Sequence, residues 1–249
     1  SEEYRDPGWV TLPEGGKPLK YIFGVDGSYQ TVRSDASPYS SIGFVKTALM
    51  KLDTHALSKL DKENPHPLMV QDILQDSVVY HATAFPLQNV WVPGMNNYHA
   101  IRKIVYESIK DESSHMEGEV METLKWIVYE KWSGKRKELP VFQCPHCHQN
   151  IATLPYDAET GSCENCKNEI YITDMLGFHL DMGDDTAPES IPSTYMTIHE
   201  TLLLFTAIRY FWEHQRGLTS QCLFVKDGPL SVRAQYSKLV EPIRRFLAY

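Results

Sequence analysis

The sequence predicts an α/β protein: a mixed sheet flanked by helices, interrupted by a helical segment and a small four-cysteine ribbon. Three observations carry this. Runs rich in β-branched and aromatic residues open the chain and return near its end. Between them lie long stretches with apolar residues at spacings of three and four. Two Cys-x-x-Cys pairs fall between these two regions.

Residues 21–33, YIFGVDGSYQTVR, place two apolar runs on either side of Asp26-Gly27-Ser28. That pattern predicts a hairpin with glycine in its turn. Residues 41–52 predict a third strand, so the chain begins as an antiparallel meander. Residues 53–93 fit no single pattern. Helices are expected over 98–110 and 112–132, the second from Met116, Val120, Leu124 and Ile127. After the cysteines, 170–175 reads as a strand and 181–194 as a polar loop. A strongly apolar helix is expected over about 195–213, then a strand from Cys222 to Asp227. Residues 235–249 read as an amphipathic helix, with Leu239, Ile243 and Phe246 on one side. The expected divisions are 1–93 and 173–249 for the two parts of the core, 94–140 for the helical insertion and 141–172 for the ribbon.

The 249 residues are 42% hydrophobic and 22% charged, the balance of an ordinary globular chain. No apolar run reaches membrane-spanning length, and the acidic start SEEYRDPGWV is no secretory signal, so a cytoplasmic protein is expected. Both ends read as trimmed. The net charge of −8 argues against a chain that grips DNA by itself over a broad basic surface. The basic run Lys131–Lys137, KWSGKRK, reads first as a solvated loop and second as a local DNA contact.

Cys144, Cys147, Cys163 and Cys166 form C-x2-C-x15-C-x2-C. Two such knuckles bring four thiolates to the corners of a tetrahedron, which suits Zn²⁺. A closed four-thiolate site has no open position for catalysis, so a structural zinc is expected. A grip for DNA or a partner is the alternative. His146 and His148 lie beside the first knuckle, but the cysteines already fill the sphere. Cys222 stands alone in an apolar run and reads as a small buried hydrophobe.

Asp26 and Asp227 each follow an apolar run and precede a glycine. Taken singly, each is ordinary turn chemistry. Glu200 lies among Ile198, Leu202, Leu203, Leu204 and Phe205. A carboxylate there is costly unless it is paired or holds a metal. Equally, Thr197-x-x-Glu200 could be a capping box at a helix start. Brought together, Asp26, Glu200 and Asp227 would make an oxygen-rich site suited to Mg²⁺ or Mn²⁺. In a two-ion site Asp26 would bridge the ions, with Glu200 and Asp227 anchoring one each. Asp174 is a weaker candidate.

These blocks resemble the NurA nuclease family. The carriers are Val25-Asp26-Gly27-Ser28, His199-Glu200 with its leucine-rich helix, and Phe224-Val-Lys-Asp227-Gly-Pro-Leu230. Tyr171-Ile-Thr-Asp174-Met-Leu-Gly-Phe-His179 is similar to a segment of zinc-containing bacterial members. The resemblance implies an RNase H-like core and a Mn²⁺-dependent site at Asp26, Glu200 and Asp227. It implies DNA exonuclease and endonuclease activity, a homodimer, and docking on a hexameric HerA-type ATPase that delivers DNA. End processing and antiphage defence are the implied settings. The family also uses further groups, including a histidine, in a later strand region that this sequence does not reach. Two other readings stand beside it: a non-cutting scaffold of the same fold, and a zinc-ribbon nucleic-acid adaptor.

Overall fold

Where the sequence reading expects a hairpin, the chain forms one uninterrupted strand. β1 (Tyr21–Arg33) runs straight through Asp26-Gly27-Ser28 and pairs antiparallel with β2 (Ser41–Asp53) along its whole length. A tight hairpin needs left-handed backbone at its glycine. Gly27 is not among the glycines of positive φ; it stays in register opposite Thr47. The computed structural model describes residues 16–61, 63–75, 78–111, 119–134, 138–183, 187–228 and 237–249.

The stretch with no clear sequence pattern contains α1 (Thr54–Leu57), α2 (Pro67–Gln75) and β3 (Val78–Gln88). β3 pairs antiparallel with β2. α3 (Asn97–Lys110) agrees with the expected helix, and Asn96 caps it by accepting from the His99 N–H at 3.0 Å. α4 (Glu119–Val128) covers part of the second expected helix, whose first turns fall outside the described residues.

The ribbon carries a two-stranded sheet, β4 (Thr160–Ser162) with β5 (Glu169–Tyr171). The strand expected over 170–175 ends at Tyr171. Ile172–Leu176 is instead a 3-10 turn, because the Asp174 carboxylate accepts the Tyr171 N–H at 2.8 Å and so closes the chain on itself. α5 (Ile191–His214) starts earlier than expected, with Pro192 in its first turn. β6 (Cys222–Lys226) follows and runs parallel to β1. α6 (Ser237–Leu247) closes the described chain, with Leu239 buried and Ile243 and Phe246 packed on the core.

The sheet order is β3-β2-β1-β6. Alternation sends Phe23, Val25, Val45 and Leu49 to the face covered by α5. α4 packs on α5 and α6 packs on α4, which is why α5 is apolar nearly all round. Each fully buried leucine or isoleucine there, such as Leu202 and Ile198, contributes about 1.5–3 kcal/mol through burial. The other face of the sheet leaves Phe44, Tyr80, Leu223 and Val225 exposed. No helix among the described residues is long and apolar enough to cross a membrane.

Candidate functional site

Two separate constellations carry chemistry. The first is the cysteine quartet. The Sγ atoms of Cys144, Cys147, Cys163 and Cys166 lie within 4.8 Å of one another, with Cys144–Cys166 at 3.7 Å and Cys147–Cys163 at 3.8 Å. Each knuckle is a tight turn: His148 N–H bonds back to the Cys144 carbonyl and Lys167 N–H to that of Cys163. His148 and Lys167 both take left-handed backbone to make that turn. The Gln149 backbone N–H, with further hydrogen bonds, draws the Cys147 thiol down to about 6, while burial pushes Cys144 up to about 12. The donor set and its spacing fit Zn²⁺, which binds thiolates.

His146 is engaged elsewhere. Its ring stacks on His99 at 4.9 Å and lies 2.9 Å from the Glu169 carbonyl. Arg102, buried on α3, spans 3.0 Å to His99 and 3.3 Å to His146. The same guanidinium donates two bonds of 2.9 Å to Asp174. Asp174 is therefore a structural latch that ties the segment after the ribbon to α3. Lys131, from the basic run, lies over the Tyr156 ring at 3.9 Å; Lys135, Arg136 and Lys137 fall outside the described residues. Cys222 is only partly buried, and its thiol donates to the Leu218 carbonyl.

The second constellation lies where β1, β6 and α5 meet. Val25 pairs with Lys226 in the parallel register; Asp26 is the next residue on β1, and Asp227 immediately follows β6. Both aspartates are exposed, and Asp26 Oδ1 accepts its neighbour's Gly27 N–H at 2.8 Å. Glu200 sits mid-helix in α5, on the other face of β1, directly against Gly27. The capping-box alternative is thereby overturned. Thr197 lies inside α5 with its hydroxyl bonded to the Ser193 carbonyl at 3.1 Å, so Glu200 is not in a first turn.

The backbone of β1 at Gly27, which bears no side chain, separates Glu200 from the Asp26 side. Glu200 does not face solvent. Its Oε2 accepts from Lys226 Nζ at 2.5 Å, with the two side chains only 5% and 3% exposed. Among the described residues the cysteines alone form a group of ligand atoms close enough to share an ion. The three carboxylates are neighbours in the fold but are not drawn into one coordination sphere. Carboxylate oxygens suit Mg²⁺ or Mn²⁺ chemically; their placement, with Glu200 bound to an ammonium, does not fit a shared ion.

No family model, curated protein or solved structure matches this chain. The functional reading therefore rests on these side chains.

Sequence reasoning passed over Lys226, although a signal existed. In a strand, Cys222, Phe224 and Lys226 share one face. Phe224 stacks on Phe23 at 5.3 Å, so that face points inward and carries Lys226 with it. It also missed the buried polar network beside Glu200. His199 Nδ1 lies 2.8 Å from Thr47 Oγ1, and its ring packs on His81 at 4.4 Å. His81 Nε2 is 2.6 Å from Ser108 Oγ, and its Nδ1 is 3.3 Å from Asp111. Burial lowers the pKa of both imidazoles; for His81 the Asp111 carboxylate opposes it in part.

Proposed function

We propose that this chain is a metal-dependent deoxyribonuclease of the NurA type, built on an RNase H-like core, with the zinc ribbon as a structural module. One observation carries the reading. Asp26 and Asp227 each follow the last paired residue, Val25 and Lys226, of the only parallel strand pair among the described residues, and Glu200 lies against the glycine that follows Asp26. Two exposed aspartates thus follow the end of the parallel pair, with a buried glutamate on the helix side of β1. The mixed sheet, with an antiparallel meander and a parallel final strand, supports an RNase H-like core.

In this reading Asp26 and Asp227 would hold Mn²⁺ or Mg²⁺ on the open side of the sheet, while Glu200, on the helix side and paired with Lys226, stays outside that sphere. The acidic net charge of −8 fits a nuclease whose DNA is delivered by a partner rather than captured by a basic surface. A HerA-type hexameric ATPase is the proposed partner and a homodimer the proposed assembly, acting in DNA end processing or antiphage defence. The test is cleavage of linear and circular DNA with and without Mn²⁺. The wild-type chain should cut with Mn²⁺, and Asp26→Asn should lose cleavage by about 10²-fold or more while melting normally. Cleavage by Asp26→Asn at the wild-type rate would refute the assignment.

A second reading, a non-cutting scaffold of the same fold, draws support from the Lys226–Glu200 pair, which leaves Glu200 already neutralised. Absence of cleavage in the wild-type chain, with zinc retained, would favour it.

A further inference from the structure

A tryptophan that is 79% exposed gains little from folding, yet Trp91 sits on a rigid support. Val92 and Met95 form an isolated antiparallel bridge, and the Met95 N–H donates to the Val92 carbonyl at 3.1 Å. Pro93 fixes the first position of that turn and Gly94, at φ 78°, supplies the left-handed second, the pattern of a type II turn. On the other side of Trp91, Asn89 Nδ2 donates to the Tyr39 carbonyl at 2.6 Å and pins the loop. The indole itself makes no hydrogen bond or ring contact among the described residues.

We propose that Trp91 and Asn97 form a nucleotide-binding site: the base stacks on the indole and bonds to the Asn97 amide, and the phosphate lies at the N-terminus of α3. The proposal is independent of the nuclease reading and needs no metal.

Three observations support it. First, Trp91 and Met95 wall a concavity of about 600 Å³, a size that suits a small ligand. Second, Asn97 lines the same concavity, is only 7% exposed, and its side chain has no hydrogen-bond partner among the described residues. A buried amide left unpaired is costly. A nucleobase edge, with donor and acceptor side by side, satisfies it. Third, Asn97 is the first residue of α3, whose 14 residues align their peptide dipoles with the positive end at the concavity. None of the described side chains lining it is charged, in a chain of net charge −8, so no carboxylate there repels a phosphate. An aromatic face for stacking and a helix N-terminus for an anion favour a nucleotide over a neutral sugar.

The probe is adenosine monophosphate, titrated into the zinc-loaded protein without divalent cations. The readout is the Trp91 indole N–H and the Asn97 side-chain amide in ¹H–¹⁵N spectra. Both signals should move together and saturate. Trp91→Ala, at an exposed position, should melt normally and weaken binding by roughly 5–150-fold. Adenosine should bind more weakly than its monophosphate by about 2–5-fold. Asn97→Ala should weaken binding without lowering the melting temperature, since that amide bonds to nothing in the free protein. A short oligodeoxyadenylate that binds more tightly than the monophosphate would assign the site to a base within a strand; weaker binding would assign it to a free nucleotide. Signals that stay fixed up to millimolar monophosphate and with the oligonucleotide overturn the proposal. So does undiminished binding by Trp91→Ala, or saturation by maltose but not by the monophosphate. A lower melting temperature in Asn97→Ala with unchanged affinity overturns the role of Asn97.

Discussion

A Cβ built on Gly27 would lie 2.6 Å from Glu200 Oε1 and 2.7 Å from Met196 Cγ. The residue that the sequence marks as a turn glycine is in fact a spacer that lets a helix touch a strand. Gly27→Ala would gain about 0.4–1 kcal/mol by restricting the unfolded chain. Overpacking against a helix carboxylate already committed to Lys226 costs about 1–3 kcal/mol, and it wins. Denaturant unfolding should therefore show Gly27→Ala to be less stable by about 1–2 kcal/mol. An unchanged or higher midpoint would show that α5 is free to move away. One residue from Glu200, His199 is fully enclosed and held neutral by burial, next to His81. Its folded pKa lies below the unfolded value of about 6.5, so the unfolded chain takes up more protons. That stability is present at neutral pH and is lost as pH falls below about 6.5. The melting temperature should drop between about pH 7.5 and 5.5, and His199→Asn should flatten that slope. A wild-type melting temperature that is flat over the window would contradict the neutral, buried assignment.

At the scale of elements, the ribbon and α3 form one mechanical piece. Arg102 on α3 bonds Asp174 twice, approaches His146 of the first knuckle, and donates to the Glu169 carbonyl beside the second. Tyr98, one helical turn earlier, donates to the carbonyl of Pro145 at 2.8 Å, between the first two cysteines. Metal loss should therefore be felt beyond the ribbon. Cys163→Ser should release zinc and lower the melting temperature, and amide exchange should quicken in α3 as well as in 141–172. Exchange confined to 141–172 would show that the latch through Arg102 carries no load, and unchanged zinc content would refute the metal centre itself. Within α5 the same economy appears. A helix packed on the sheet on one side and on α4 on the other has no solvent stripe to spare. Its polar residues survive by pairing: Thr206 with Thr123 at 2.9 Å, Glu200 with Lys226, His199 with Thr47.

Across the whole molecule, the buried apolar residues form one continuous cluster that runs from Phe23 and Phe85 in the sheet through α5 to Cys144 and Cys163 in the ribbon. Much of this was legible in the sequence. The C-x2-C-x15-C-x2-C spacing announces the thiolate quartet, because each knuckle is a local turn and needs little from the rest of the chain. The helix at α3, the apolar helix at α5 and the strand at β6 follow from periodicity, which reports the neighbours that an element must bury. The continuity of β1 was not legible, since Asp-Gly signals a turn locally and only pairing with β2 and contact with α5 hold it extended. Nor was the strand β3, whose irregular run is stabilised by β2 alongside it. The sequence by itself determined a four-cysteine cluster with metal-binding spacing and placed acidic residues at strand ends and on one helix, because local spacing and pattern suffice for both. Only the tertiary structure decided that Glu200 faces Lys226, that Gly27 is a point of contact, and that Asp26 and Asp227 follow residues paired across neighbouring strands. Each of those depends on residues far apart in sequence meeting across a sheet, where pairing and exclusion of water set the partner of every buried charge.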